Sequence, residues 1–271
     1  AYGEHMKHNL VVKSARQGLL AASLGIGFGL SAGTACAAAG INPDADEILQ
    51  SMSKFLAGTQ SFSVDADISN EVVNLDGQKL QFNNRSTMLI DRPSRLHVTR
   101  KGRFVDADIV YDGTKLTIYG KNLNAYVQKD LPGTIADVIA GIESKTRFSA
   151  PGADLILSDP YAALNSGVVS SGYYGTAYIG GVETHHLGFR NAKVDLQLWV
   201  KAGDEPLPMK YVITSKWIAG APQYSVQLSN WNLQPKIGKQ QFEFSAPKDA
   251  QMIEALPVDE AGEITLPEET K

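Results

Sequence analysis

The sequence predicts an α+β fold in which an N-terminal helix and a helical insert accompany a large antiparallel sheet. Apolar and polar residues alternate with a period of two through two long blocks of the chain, which is typical of strands with one buried and one solvated face. Ahead of the first block and between the blocks, apolar residues recur at helical spacing instead. With 43% hydrophobic residues, residues 40–250 can bury the core of a single domain.

The first 39 residues have the pattern of an export signal. A basic stretch precedes an apolar run over residues 18–33 and a small-residue cleavage zone over residues 35–39. We expect cleavage after Ala39, a periplasmic mature protein and no membrane span in the mature form. Residues 1–5 precede Met6 and are expected to be a cloning remnant. A retained anchor is the less favoured alternative, because the apolar run is short for a bilayer.

Cys36 is the only cysteine of the chain. The mature domain is therefore expected to fold without a disulfide, although its compartment would permit one. Cys36 is also the candidate for lipidation in an alternative interpretation of the leader. Lipoprotein signals usually carry Leu three residues before the cysteine, and Gly33 stands there, so cleavage without lipidation is favoured.

The charge of the mature chain argues against two classes of partner. Removing the leader reduces the 25 basic and 29 acidic residues of the full sequence to 22 and 28, a formal charge of −6. An acidic chain without a basic run is not typical of proteins that bind nucleic acid or anionic membrane surfaces. We expect neither partner.

The N-terminal helix is predicted from its start signals. Asn42 suits the N-cap and Pro43 the first helical position, so the helix is expected to run from Pro43 to about Ala57, with Gly58 ending it. The apolar side chains of this segment form one stripe, which has to dock on another element.

The helical insert follows the first block of strands. Thr134 and Asp137 resemble a capping box, and a helix is expected over about 134–146. A shorter helical stretch is predicted over residues 153–157, and it continues over residues 161–164 after Pro160.

Strands are predicted on both sides of this insert, with turns at Asp76–Gly77 and Asp112–Gly113. The first block comprises residues 62–69, 80–90, 96–100, 104–111, 116–119 and 125–129. The second comprises residues 174–179, 183–190, 194–201, 210–217, 224–231 and 241–245. The acidic, proline-broken residues 251–271 are predicted to be a disordered tail.

The sequence contains no familiar catalytic motif. Nucleophile-elbow, zinc-protease, phosphate-loop and paired-cysteine patterns are absent. His185 and His186 are adjacent on a predicted strand, so their rings should point to opposite faces and could not easily share a metal ion. We therefore expect a protein that is not an enzyme and that uses no metal or cofactor.

Four segments resemble a family of predicted periplasmic proteins of unknown function, over about residues 42–247. These segments are Arg92–Leu96, Tyr111–Leu116, Pro206–Thr214 and Pro222–Tyr224. More distantly, the order of helix, strands, helical insert and strands resembles the lipoprotein-carrier fold of LolA, LolB and LppX. This second resemblance implies an incomplete antiparallel barrel of about 10–12 strands, with helices capping the concave face over a cavity for acyl chains or another lipophile.

With that fold, apolar residues of one sheet face become candidates for the cavity wall. They are Leu80, Phe82, Met88, Leu96, Val98, Leu116, Ile118, Leu198, Val200, Ile213 and Val226. The candidates for the helical lid are Met52, Phe55, Val138, Ile139 and Ile142.

Two functions from different classes follow. The first is a periplasmic binding or carrier protein for a lipophilic small molecule or lipid. The alternative is an envelope protein-interaction or sensor module, which should expose apolar patches or sheet edges to a protein partner. A hydrolase is the least favoured, because no nucleophile and base are recognisable together.

Overall fold

The computed structural model describes residues 40–103, 106–145, 153–157 and 159–256. The predicted leader, including Cys36, and residues 257–271 lie outside the described residues. In the described part of the chain, twelve strands form one sheet and three α-helices accompany it.

The strands fall into two blocks separated by the helical insert. The first block is β1 (Ser61–Val73), β2 (Lys79–Asp91), β3 (Arg95–Gly102), β4 (Asp106–Tyr111), β5 (Lys115–Gly120) and β6 (Ala125–Asp130). The second is β7 (Ser170–Ile179), β8 (Val182–Arg190), β9 (Val194–Lys201), β10 (Pro208–Ser215), β11 (Gln223–Asn232) and β12 (Gln251–Met252). The helices are α1 (Pro43–Gly58), α2 (Ile135–Lys145) and α3 (Pro160–Leu164), with 3₁₀ helices at Lys121–Leu123, Ala153–Ile156 and Lys239–Phe242.

Two antiparallel meanders make up the sheet, and β1 joins them by pairing with β2 on one side and β11 on the other. The strand order is β12-β6-β5-β4-β3-β2-β1-β11-β10-β9-β8-β7, with β12 the one parallel neighbour among the described strands. The prediction of a curved antiparallel sheet of about 10–12 strands is confirmed. The sheet stays open and does not close into a barrel.

Both predicted helix starts have the hydrogen bonds that cap a helix. The Asn42 side-chain oxygen accepts a bond from the Ala45 backbone N–H at 2.9 Å. At α2, the Asp137 N–H donates to Thr134 Oγ1 at 3.2 Å, while the Thr134 N–H donates to Asp137 Oδ2 at 2.7 Å. These reciprocal bonds satisfy amide groups that the first helical turn leaves without a partner.

The prediction of a strand over residues 241–245 was wrong. The chain there forms the 3₁₀ helix Lys239–Phe242 and then crosses the face of the sheet opposite the helices. Phe242 is 1% exposed beneath the Arg95 guanidinium, and the Phe244 ring lies 5.1 Å from that of Tyr126. The alternation of these aromatics resembles a strand, but it arises because both pack onto the sheet.

The C-terminal segment then reaches the edge of the sheet. Gln251 and Met252, which the sequence predicts to belong to a disordered tail, instead form β12. The Ile253 N–H donates to the Tyr126 carbonyl at 2.9 Å, so this segment lies against β6.

The core lies between α1 and the inner face of the sheet. From β1, Phe62, Val64 and Ala66 are each at most 2% exposed. Leu49 and Met52 of α1 are completely buried in the same cluster. Helix α1 is therefore held mainly by apolar burial.

Replacing Leu49 with Ala should test that statement. We expect the free energy of unfolding to fall by about 2–5 kcal/mol, because the substitution leaves a cavity in the core. Urea unfolding followed by circular dichroism measures the loss. The exposed neighbour Gln50→Ala serves as the control, and a loss below about 1 kcal/mol for Leu49→Ala would show that α1 contributes little.

A second prediction concerns Asp65 on the outer face. Its carboxylate accepts bonds from Asn230 Nδ2 at 2.8 Å, Thr87 Oγ1 at 2.9 Å and Arg85 Nη2 at 3.0 Å. The Asn230 bond is the largest influence that lowers the pKa of Asp65, with burial opposing it and Thr87 and Arg85 adding to it. A lowered pKa in the folded state makes the charged carboxylate stabilising above the unfolded value of about 4.

This contribution is lost as the pH falls through the lowered pKa. We expect Asp65→Asn to reduce stability at pH 7 and to make stability less dependent on pH below about 4. Urea midpoints measured across this range for the variant and the wild type provide the test. Identical pH profiles would contradict the prediction.

Candidate functional site

The predicted cavity residues share one face of the sheet. The cross-strand register pairs Met88 with Val98, Leu198 with Tyr211, and Tyr211 with Val226, and the same alternation carries the inner face across the other strands. Nine of the eleven predicted residues belong to the core or pack against it: Met88, Leu96, Val98, Leu116, Ile118, Leu198, Val200, Ile213 and Val226. Their role as ligand contacts stays a prediction.

Leu80 and Phe82 are not brought together with the others. They lie near the start of β2, opposite Val72 and Asn70 of β1, and neither belongs to the core cluster. Leu80 is 37% exposed. The alternation along β2 predicts the face on which both residues lie. It does not show how far along the strand the helices cover that face.

Four of the five predicted lid residues contact the core. Met52 and Val138 are buried within it, and Phe55 and Ile139 pack against it. Ile142 belongs to α2, but its side chain lies outside the described residues. The lid assignment likewise stays a prediction.

A cavity of about 120 Å³ lies between the inner face of β8–β10 and the part of the helical insert that follows α2. The described residues of this part are 153–157 and 159–168, and they are called the insert from here on. Its apolar wall comprises Leu155, Ala163, Leu164, Val168, Phe189, Val194, Leu196, Leu198 and Ile213. Of these, only Leu198 and Ile213 were predicted. Leu196 and Phe189 could have been found, because they follow the same alternation along β9 and β8. Nothing in the sequence pattern indicated Leu164 or Val168, which come from the end of α3 and the loop after it.

The polar groups of the cavity are few. They come from Asp154, Ser166, Asn191 and Tyr211. Burial raises the pKa of Tyr211 well above its usual value, and the neighbouring Tyr224 and Asp154 raise it further. Tyr211 therefore presents a neutral hydroxyl in a mostly apolar space.

Arg92 connects α1 with the insert. Its Nη1 donates to the Thr59 carbonyl at the end of α1, at 2.7 Å, and its Nη2 donates to the Leu157 carbonyl at 3.2 Å. The guanidinium also lies over the Phe62 ring, 5.3 Å from its centroid. Burial lowers the pKa of Arg92, but an arginine stays charged at physiological pH. The charged Arg92 side chain thus holds the end of α1 and the insert near Leu157 against the sheet.

A second polar contact ties α3 to α1. The Tyr161 hydroxyl donates to Asp46 Oδ1 at 2.7 Å, and this bond is the main cause that raises the pKa of Tyr161. The middle of the insert is therefore tied to α1 directly, by the Tyr161 bond to Asp46, and indirectly, through Arg92, by the bond at Leu157.

Helix α2 is positioned separately, over the first meander. The buried Tyr111 hydroxyl lies 2.8 Å from the Leu131 carbonyl and 2.7 Å from the Gly133 carbonyl, ahead of the helix. The Ile135 N–H donates to the Pro93 carbonyl at 2.9 Å. Ile135 and Val138 of α2 are buried in the core. Helix α2 thus covers the first meander, whereas the insert lies over β8–β10 of the second.

The two adjacent histidines lie on opposite faces, as predicted. His185 Nδ1 is 3.1 Å from the Tyr173 hydroxyl on the inner face, while the His186 ring stacks on Trp199 on the outer face. Among the described residues, no group of three or more His, Cys, Asp or Glu side chains is arranged to hold a metal ion. None of the described helices has the length and apolarity to cross a membrane.

Comparison with known proteins identifies the family. A family model described as "Predicted periplasmic protein (DUF2092)" matches residues 45–256. The chain belongs to this family, which confirms the resemblance seen in the sequence and the predicted periplasmic location. No curated protein matches the sequence.

Solved structures with a similar arrangement include three bacterial proteins. A LolA superfamily protein from Nitrosomonas europaea is 11% identical, with a TM-score of 0.38 over 74% of this chain and 97% of its own. The lipoprotein LppX of Mycobacterium tuberculosis is 12% identical, with a TM-score of 0.41 over 73% and 100%. A Pseudomonas aeruginosa MucA/MucB complex contains a chain that is 13% identical, with a TM-score of 0.43 over 75% and 62%. Likeness at this level does not extend to function.

The Arg92 contacts lead to a testable prediction. Arg92→Met removes the bonds to the Thr59 and Leu157 carbonyls, and bonds from charged groups are worth about 1.5–3 kcal/mol each. We expect amide hydrogen exchange in residues 153–168 to accelerate by roughly tenfold or more, with a smaller change in β8 and β9. Arg85→Met, which removes an exposed arginine from the outer face, is the control. Equal exchange of the insert in both variants would contradict the role of Arg92.

Proposed function

We propose that this member of the DUF2092 family is a periplasmic, non-enzymatic binding or carrier protein for a lipophilic ligand, held between the curved sheet and its helices. The observation that carries the proposal is the apolar cavity on the inner face, which the insert closes on one side. Concave sites with apolar walls and a few polar groups are characteristic of ligand binding.

The size of the cavity indicates how such a ligand would enter. Sites for drug-sized ligands occupy roughly 300–1,000 Å³, whereas this cavity has about 120 Å³. In this proposal the structure is a closed form, and binding of a lipid chain requires part of the cavity wall to move. Because the sheet is continuous and α1 is buried in the core, the insert is the part of the wall that can move at least cost.

The contacts of the insert agree with this role. Among its described residues, Leu155 and Pro160 are buried, while Leu164 and Val168 are only partly buried. Its bonds to Arg92 and Asp46 join it to α1 without continuing a strand or a helix. Outward movement of residues 153–168 would expose Leu196, Leu198 and Ile213 as one apolar surface for an acyl chain.

An envelope protein-interaction module is the second candidate function. It is favoured by exposed apolar side chains, since Tyr174, Tyr178 and Trp217 are each about 70% exposed. A protein-interaction module does not require the cavity to enlarge. Binding of a lipophile that depends on cavity residues would therefore favour the carrier function over this alternative.

Two variants one position apart in α3 test the proposed function. Ala163 lines the cavity, whereas Ala162 is exposed on the same helix. Ala163→Phe should fill the cavity and weaken the binding of an environment-sensitive fluorescent fatty acid by at least about tenfold, because a bulky ring competes for the same space. Ala162→Phe should leave the dissociation constant unchanged.

Fluorescence titration provides the dissociation constants, and thermal unfolding checks that both variants are folded. Equal affinity for the probe in the two variants would contradict binding in this cavity. Absence of probe binding by the wild-type protein would contradict the proposal for single-chain lipids.

A further inference from the structure

We infer that the open edge of β7 is an interaction surface for a second copy of this chain. At the opposite end of the sheet, the chain itself lies along the edge, because β12 pairs with β6 at Ala125 and Tyr126. Strand β7 ends the sheet on the other side and pairs with β8 alone among the described strands.

Within the part of the chain that the structure describes, only the start of this edge is covered. The Ser171 N–H donates to the Gly40 carbonyl at 3.1 Å, and the Asn42 N–H donates to Ser171 Oγ at 2.9 Å. The chain then turns into α1 and leaves the edge. Beyond that point, no described strand lies along Tyr174–Ile179, a stretch of roughly 20 Å at about 3.3 Å per residue.

Strand β7 also lacks most of the devices that keep sheet edges from pairing. Its ten residues include no charged side chain and no proline. Natural edge strands are commonly protected by lysine, proline, shortness or a bulge. Of these devices, β7 has a bulge, seen as a register shift between Tyr173 and Thr176. The residues that follow it have no such protection.

Exposed apolar side chains concentrate along this edge. Eight large apolar side chains of the described residues are exposed, and four of them lie on β7 or beside it: Ile41 (46%), Val169 (63%), Tyr174 (68%) and Tyr178 (70%). Tyr174 lies on the outer face, 5.3 Å from the His186 ring, whereas the register places Tyr178 on the inner face. The unpaired backbone is thus flanked by a tyrosine on each face.

A second copy fits this surface for two reasons. An uncharged strand can pair with itself without placing like charges opposite one another. Each chain also has one edge that no described strand covers, so an antiparallel two-fold contact between two β7 strands closes at a dimer instead of continuing as a filament. A contact about 20 Å long buries less than the standard area of about 800 Å² per partner. Because this area is smaller than that of a standard stable interface, we expect a weak dimer with a dissociation constant in the micromolar range.

Sedimentation velocity of the processed protein, expressed with its own leader, tests this inference from about 1 to about 200 µM. We expect reversible dimerisation in the wild type. Tyr178→Lys should raise the dissociation constant at least about tenfold, because a lysine at the edge opposes strand pairing. Trp217→Lys, which changes an equally exposed residue in the β10–β11 turn, should leave it unchanged.

Amide hydrogen exchange locates the contact independently of the variants. Protection of residues 174–179 should rise with protein concentration while β6 stays unchanged. A protein that remains monomeric across the range would overturn the inference, as would a dimer whose formation leaves the exchange of residues 174–179 unaltered. No residue of β7 lines the cavity. Failure of this inference would therefore not contradict ligand binding in the cavity, and failure of ligand binding would not contradict this inference.

Discussion

Antiparallel pairing of β1 with β11 is the contact on which the rest of the structure depends. It joins the meander before the helical insert to the meander after it, so that the inner faces of both form one continuous surface. Strand β1 contributes Phe62 and Val64 to the middle of that surface. Without this pairing, α1 would have no surface wide enough to bury its apolar stripe.

Local signals predicted the elements well because their physical causes are local. Capping by Asn42 and by Thr134 with Asp137 depends on residues a few positions apart, and strand alternation depends on the pleat. The same alternation placed all the proposed cavity residues on one face. It could not show that β1 lies beside β11, or that Leu80 lies beyond the helices, because those facts depend on contacts distant in sequence. Phe242 and Phe244 misled for the same reason, since their partners lie on β3, β5 and β6.

The helical layer is held to the sheet in two ways that differ in strength. Helix α1 is attached by completely buried apolar residues such as Leu49 and Met52, whereas the insert depends more on hydrogen bonds from Arg92 and Tyr161. Truncating a completely buried leucine to alanine costs about 2–5 kcal/mol, more than the roughly 1.5–3 kcal/mol contributed by a hydrogen bond from a charged group. Opening should therefore proceed through the insert, which leaves α1 and the sheet as the fixed part of the site. Under the proposed function, this difference explains how a small cavity would open for a larger lipophile.

Mass measurement on protein purified from a bacterial periplasm tests whether the protein carries a lipophile. The native mass of the processed chain would be compared with its denatured mass, and organic extraction would recover any released molecule. We expect a native mass that exceeds the denatured mass by a lipophilic molecule, and the excess should be lost in the Ala163→Phe variant. Equal native and denatured masses, with no lipophile in the extract, would contradict a carrier function.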